Sequence, residues 1–164
     1  MERGIVVSNT TPLIALAWLE RPDLLPALFG IIYIPKAVHD ELHSNPEKIG
    51  SIELSAASWL KVMTVENTLA VGMLANELDT GESEAIVLAH EMNAALLLMD
   101  ERRGRRRAAE SGLVITGTLG ILIEAHERGL VGPLRPLLER LRELPFRLDP
   151  ALYVEVLSRV GEWP

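Results

Sequence analysis

Apolar positions along this chain fall into short runs punctuated by small polar residues, Gly and Pro. Ile5 to Ser8 is β-branched and reads as a strand. Thr10 or Thr11 then caps a helix with Pro12 in its first turn, where a missing N–H costs nothing. Leu13, Leu16 and Ala17 give that helix an apolar face as far as Trp18 and Leu19. Asp23 to Phe29 is a second short helix ended by Gly30, and Ile31 to Ile34 is a second strand closed by Pro35. Strand, helices and strand within roughly thirty residues form the start of a βαβ arrangement and favour a parallel sheet.

The same grammar continues. Lys36 to His43 is helical until Ser44-Asn45-Pro46 breaks it, and Leu60 to Val65 alternates as a strand or edge segment. Helices follow over Leu69 to Leu78 and Thr80 to Asn93; between them Asp79, with Glu82 three residues on, has the form of a capping box. Ala85, Leu88, Ala89 and Met92 make the buried stripe of the second of these helices. Ala94 to Met99 is unbroken apolar sequence, as expected of a strand covered on both faces, and it ends in Asp100. Arg102 to Ser111 is an arginine- and alanine-rich helix, Leu113 to Thr116 a short strand, and helices complete the chain over Thr118 to Arg128, Leu134 to Leu144 and Ala151 to Val160. The pattern predicts an α/β fold of three layers, with a short, mostly parallel central sheet and extra C-terminal helices. It reads as one domain over 1–164, with a core of about 4–132 and a helical extension of about 133–164.

Composition narrows the classes. With 164 residues, 48% of them hydrophobic, the chain can bury one core. It has no cysteine, so disulfides and thiolate metal sites are excluded. The stretch before Ser8 lacks the apolar region of a signal peptide, and no apolar run reaches the ~18 residues of a membrane helix. A cytoplasmic protein without membrane contact is expected. The net charge of −7 argues against coating nucleic acid by bulk electrostatics, but Arg102, Arg103, Arg105, Arg106 and Arg107 form a local basic patch.

Candidate chemistry lies at the strand ends, because loops from several strands of an open α/β sheet converge at their carboxyl edge. Asn9 and Asp100 stand at two such ends, and Asp100 closes a fully apolar run where an uncompensated acid is costly. Glu41 in AVHDEL and Glu84 in GESEAIVLA are helix acids just beyond other strands or turns. His39 and His43 are spaced as in a zincin helix, but the residue after His39 is Asp40 rather than Glu and no convincing third ligand follows. Phosphate-loop and dinucleotide fingerprints are absent, and Thr116-Gly117-Thr118 reads as a strand end running into a helix cap.

Four stretches in order, SNTTPLI, IPKAVHDEL, LDTGESEAIVLAHEMNAALLLMDERRG and VITGTLGIL, resemble the PIN-domain superfamily, and within it a branch related to VapC-type toxins. The resemblance implies a PIN-like fold and a ribonuclease that hydrolyses phosphodiesters with Mg²⁺ or Mn²⁺ held by clustered acids. It places Asn9, Glu41, Glu84 and Asp100 as metal-binding and catalytic residues, with Glu82, Asp40 and Glu101 as neighbours if the register shifts. Thr10, Arg102, Arg103, Arg105, Arg106 and Thr118 fall to nucleic-acid binding. RNA, a cognate antitoxin and a second copy in a homodimer are the implied partners. Clustered carboxylates suit this chemistry because they hold a hard cation with open positions beside the phosphate. Asn9 departs from the pattern: it keeps one ligand oxygen and loses a charge. A second expectation therefore stands beside the first, a weakened or inactive PIN-fold module that binds nucleic acid or protein.

Overall fold

Alternate residues of the first strand enter different cores: Val6 packs on one face of the sheet and Val7 on the other, both fully buried. The computed structural model describes residues 4–44, 53–54, 56–144 and 148–164. The expected break at Asn45-Pro46 and the reading of Met1 to Arg3 lie outside the described residues. The elements are β1 (Val6–Ser8), α1 (Thr10–Trp18), α2 (Leu24–Phe29), β2 (Ile32–Pro35), α3 (Lys36–Ser44), β3 (Leu60–Met63), α4 (Thr68–Leu74), α5 (Thr80–Glu91), β4 (Leu96–Leu98), α6 (Arg102–Glu110), β5 (Ile115–Thr116), α7 (Thr118–Glu127), α8 (Arg135–Leu141) and α9 (Pro150–Arg159).

The strands form one sheet in the order β3-β2-β1-β4-β5, and every pairing is parallel. Leu13 and Leu16 of α1, Leu24 and Leu25 of α2, and Ile121 and Leu122 of α7 cover one face together with α8 and α9. Ala85, Leu88 and Ala89 of α5 and Ala108 of α6 cover the other, against Val7, Leu97 and Met99. This is the expected three-layer α/β fold with extra C-terminal helices. Each fully buried Leu or Ile stabilises it by about 1.5–3 kcal/mol. The chain end fastens the C-terminal layer, because the Glu162 carboxylate accepts the N–H groups of Leu134 and Arg135 at 2.7 and 2.9 Å. Among the described residues no helix is long and apolar enough to cross a membrane.

Two local differences from the sequence pattern shape the crevice. The N-cap of α1 is Asn9 rather than Thr10 or Thr11; its backbone is extended and its side chain makes no capping bond. The tight exit from β1 starts the helix one residue early and leaves the Asn9 amide available for other contacts. Helix α4 stops at Leu74 rather than Leu78. A turn in which Glu77 and Leu78 donate to the Leu74 carbonyl drops Leu78 into the core and delivers Asp79 to the start of α5.

Candidate functional site

The strand order reverses between β1 and β4, since the chain builds outward from β1 in both directions. A crevice opens at such a switch point beyond the carboxyl ends of the strands. Here β1 delivers Asn9, whose N–H donates to the Leu98 carbonyl at 2.9 Å, and β4 delivers Asp100.

One group of oxygens surrounds Gly81 in the first turn of α5. Asn9 Oδ1 and Glu41 Oε2 both lie 3.4 Å, and Asp79 Oδ1 lies 3.6 Å, from the point a Cβ at Gly81 would occupy. The Thr10 hydroxyl donates a short hydrogen bond to Glu41 Oε2, so α1 and α3 are tied across the crevice. Asp79 caps α5 by accepting the Glu82 N–H at 2.8 Å, and Glu82 faces back on Asp79, whose N–H steadies it; the expected capping box forms. Glu82 is buried, at 8% exposure. Burial first, then the charges of Asp79 and Glu101, push its carboxyl up to about 7.

A second group surrounds Gly117 at the start of α7. Asp100 Oδ1 accepts the Thr118 N–H and Oδ2 accepts the Thr118 hydroxyl, both at 2.7 Å. A Cβ at Gly117 would stand 2.5 Å from Asp100 Oδ1 and 2.7 Å from an Arg105 guanidinium nitrogen, which donates to the Met99 carbonyl at 3.0 Å. Burial raises the Asp100 carboxyl above its ordinary value; the two Thr118 bonds and the Arg105 charge pull it back in part. Beside this group lies a cleft of about 910 Å³, whose lining includes Thr11, Glu101, Arg102, Arg105 and Leu152.

The expected site residues divide between these groups. Asn9, Glu41 and Thr10 meet around Gly81, whereas Asp100 and Thr118 meet at Gly117. Glu84 lies one turn along α5, where its carboxylate accepts the Ala37 N–H at the start of α3. Thr118 is fully buried and its hydroxyl donates to Asp100. Arg106 pairs with Glu110 at 3.3 Å, and Arg107 pairs with Glu110 and Glu77. Arg102 and Arg103 are exposed, and their side chains make no hydrogen bond or ion pair among the described residues. The His39 and His43 rings stack on each other with centroids 5.5 Å apart, and Asp40 is solvated on the same helix.

The donor set does not fit a preformed divalent cation site. Among the described residues no three His, Cys, Asp or Glu side chains stand close enough together to hold a metal ion. Asn9 brings an oxygen without charge, and both Asp100 oxygens already accept hydrogen bonds. The sequence pattern marks Asp79 only as a helix cap and Gly117 only as part of a strand end; the signal for Gly81 and Gly117 as gathering points is a glycine beside a helix cap, where a missing side chain lets polar groups close in.

A family model described as a PIN domain matches residues 5–162, from the first strand through the last helix. No curated protein matches the chain. On the extent of that match, the chain belongs to the PIN-domain family.

Proposed function

We propose that this chain is a PIN-fold module that binds RNA at the carboxyl edge of its sheet and has weakened or lost metal-dependent cleavage. The observation that carries this reading is the arrangement at the strand ends: a neutral Asn9 at β1 and, at β4, an Asp100 engaged at both oxygens by Thr118. A divalent cation needs several charged oxygens with free lone pairs, and these two positions supply few. Arg102 and Arg103 remain exposed on the rim, suited to backbone phosphates and indifferent to sequence. Retention of mixed single-stranded RNA on a filter tests the reading. Binding without cleavage in Mg²⁺ or Mn²⁺, released as salt rises from about 50 to 200 mM, supports it. Absence of binding at the lower salt refutes it.

A second reading has its own observation. Glu82 is buried beside the charges of Asp79 and Glu101, a concentration of acid that a cation would relieve. It favours a Mg²⁺- or Mn²⁺-dependent ribonuclease, which the resemblance to VapC-type toxins would make the toxin of a toxin–antitoxin pair acting as a homodimer. That reading requires Asn9, Glu41, Glu82 or Glu84, and Asp100, which stand in separate groups around Gly81 and Gly117, to be drawn together by an ion that would supply charge neutralisation at the phosphate. RNA cleavage in Mn²⁺ that Asp100→Asn abolishes would establish this reading over the first. Equal cleavage by both proteins would indicate a contaminant.

A further inference from the structure

The cleft beside Gly117 has walls of opposite character, and they come from opposite layers of the fold. Helix α6, whose Ala108 packs on the Val7 and Met99 face of the sheet, contributes Arg102 and Arg105, three residues apart and so on one side of the helix. Helix α7, on the other face, contributes Leu119, and the C-terminal extension contributes Leu148, just before α9, and Leu152 in its first turn. Core packing does not account for Leu152. Helix α9 buries Tyr153, Val156 and Leu157, yet Leu152 stays 43% exposed on the cleft. The Asp149 side chain accepts the Ala151 N–H at 2.7 Å, which fixes this first turn and holds the leucine in place. The acids of the cleft are engaged: Asp100 accepts from Thr118, Asp149 from Ala151, and Glu101 from the Thr11 hydroxyl at 3.5 Å. Arg102 is exposed with its guanidinium open, and half-buried Arg105 commits one nitrogen to the Met99 carbonyl.

We propose that this cleft, on the RNA-binding reading above, is a subsite for one unpaired nucleotide of single-stranded RNA, with the base on the Leu119, Leu148 and Leu152 wall and the phosphate on Arg102 and Arg105. A nucleotide has the same division of character as the cleft, an apolar ring face beside a charged phosphate. An unstacked base regains contact by packing on apolar side chains, and guanidinium groups meet phosphate oxygens in a planar fork. The volume, about 910 Å³, lies within the range of clefts that enclose small ligands, roughly 300–1,000 Å³. In a duplex each base face is covered by its neighbours, so the subsite selects single strands. The C-terminal extension is then part of the binding surface as well as a cover for the core. Leu152 is the residue through which it discriminates.

Fluorescence anisotropy on the full chain, with a single-stranded RNA and a strand of the same length carrying abasic residues in place of its bases, tests the subsite. The wild type should bind the base-bearing strand about fivefold more tightly than the abasic one. Leu152→Ser, at an exposed position on which folding does not depend, should weaken the base-bearing strand by a similar factor and leave the abasic strand unchanged. Leu152→Trp offers a wider stacking face and should tighten the base-bearing strand alone, a gain that misfolding cannot produce. Arg102→Ala should weaken both strands by the same factor. If the wild type binds neither strand, the RNA-binding reading falls and the subsite with it. If it binds both strands equally, or if Leu152→Ser binds the base-bearing strand as the wild type does, the subsite is overturned while the RNA-binding reading stands.

Discussion

Thr118 holds Asp100 through two atoms at once, its N–H on Oδ1 and its hydroxyl on Oδ2, each at 2.7 Å. The formal N-cap of α7 is Gly117, which has no side chain to offer. The last residue of the β4 exit therefore does the capping from outside the helix. A carboxylate at a helix N-terminus is also favoured by the helix dipole. This one contact joins β4, β5 and α7 at the rim of the crevice, and it fixes the carboxylate that sequence alone marks for chemistry.

Removing either half of that contact should lower stability. Thr118→Val takes away the hydroxyl donor and leaves a buried carboxylate oxygen with fewer partners, at a cost of about 1–2 kcal/mol. Asp100→Ala uncaps α7 altogether and should cost at least as much. Urea unfolding would measure both, and an Asp100→Ala protein as stable as the wild type would remove the capping role.

Glu82 predicts an unusual pH response. Its folded-state carboxyl is pushed up to about 7, above the unfolded value of 4.5, so between those limits the folded chain binds a proton that the unfolded chain lacks. The stabilisation is present in full below pH 4.5, falls as pH rises to about 7, and is absent above it. With allowance for solvent screening it amounts to about 1–2 kcal/mol. Glu82→Gln, which keeps a capping-box side chain, should flatten this part of the stability profile and melt higher than the wild type at pH 8. Parallel profiles for the two proteins from pH 5 to 8 would contradict the assignment.

Gly81 separates folding from binding. A methyl there would sit at ordinary contact distance, 3.4 to 3.6 Å, from Asn9, Glu41 and Asp79. Gly81→Ala should therefore fold normally and gain up to about 1 kcal/mol from helix propensity. It also fills the space on which those oxygens converge, so RNA retention should fall. Unchanged retention in a normally folded Gly81→Ala protein would move the binding surface away from this crevice.

Asn9→Asp should behave as a charge switch. A carboxylate beside Glu41 and Asp79 adds like-charge repulsion, so the variant should melt below the wild type in chelator. Added Mn²⁺ should raise its melting temperature more than it raises that of the wild type. A variant indifferent to Mn²⁺ would show that restoring the acid does not restore a cation site.

Arg102 and Arg103 should govern how strongly RNA retention depends on salt. Replacing either with Ala should reduce the slope of log affinity against log salt by about 0.7 for single-stranded RNA. An unchanged slope in the double variant would exclude α6 from the strand's path.

Much of this architecture is legible in the sequence. Unbroken apolar strands such as Ala94 to Met99 require cover on both faces, and helix patterns between them supply it; a parallel three-layer sheet follows from burial alone. Strand ends and caps are equally local, so Asn9, Asp100 and the Asp79 and Glu82 box could be marked from neighbouring residues. The function of each acid could not, because a carboxylate's role depends on which donors from distant segments reach it. Only the tertiary structure brings Thr118 to Asp100 across 18 residues, Thr10 to Glu41 across 31 and the Ala37 N–H to Glu84 across 47. Sequence determined where charge and polar oxygen would collect, since hydrophobic period and capping chemistry act over a few residues. Folding decided which of those oxygens stay open, because hydrogen-bond satisfaction is settled between elements that meet only when the sheet closes.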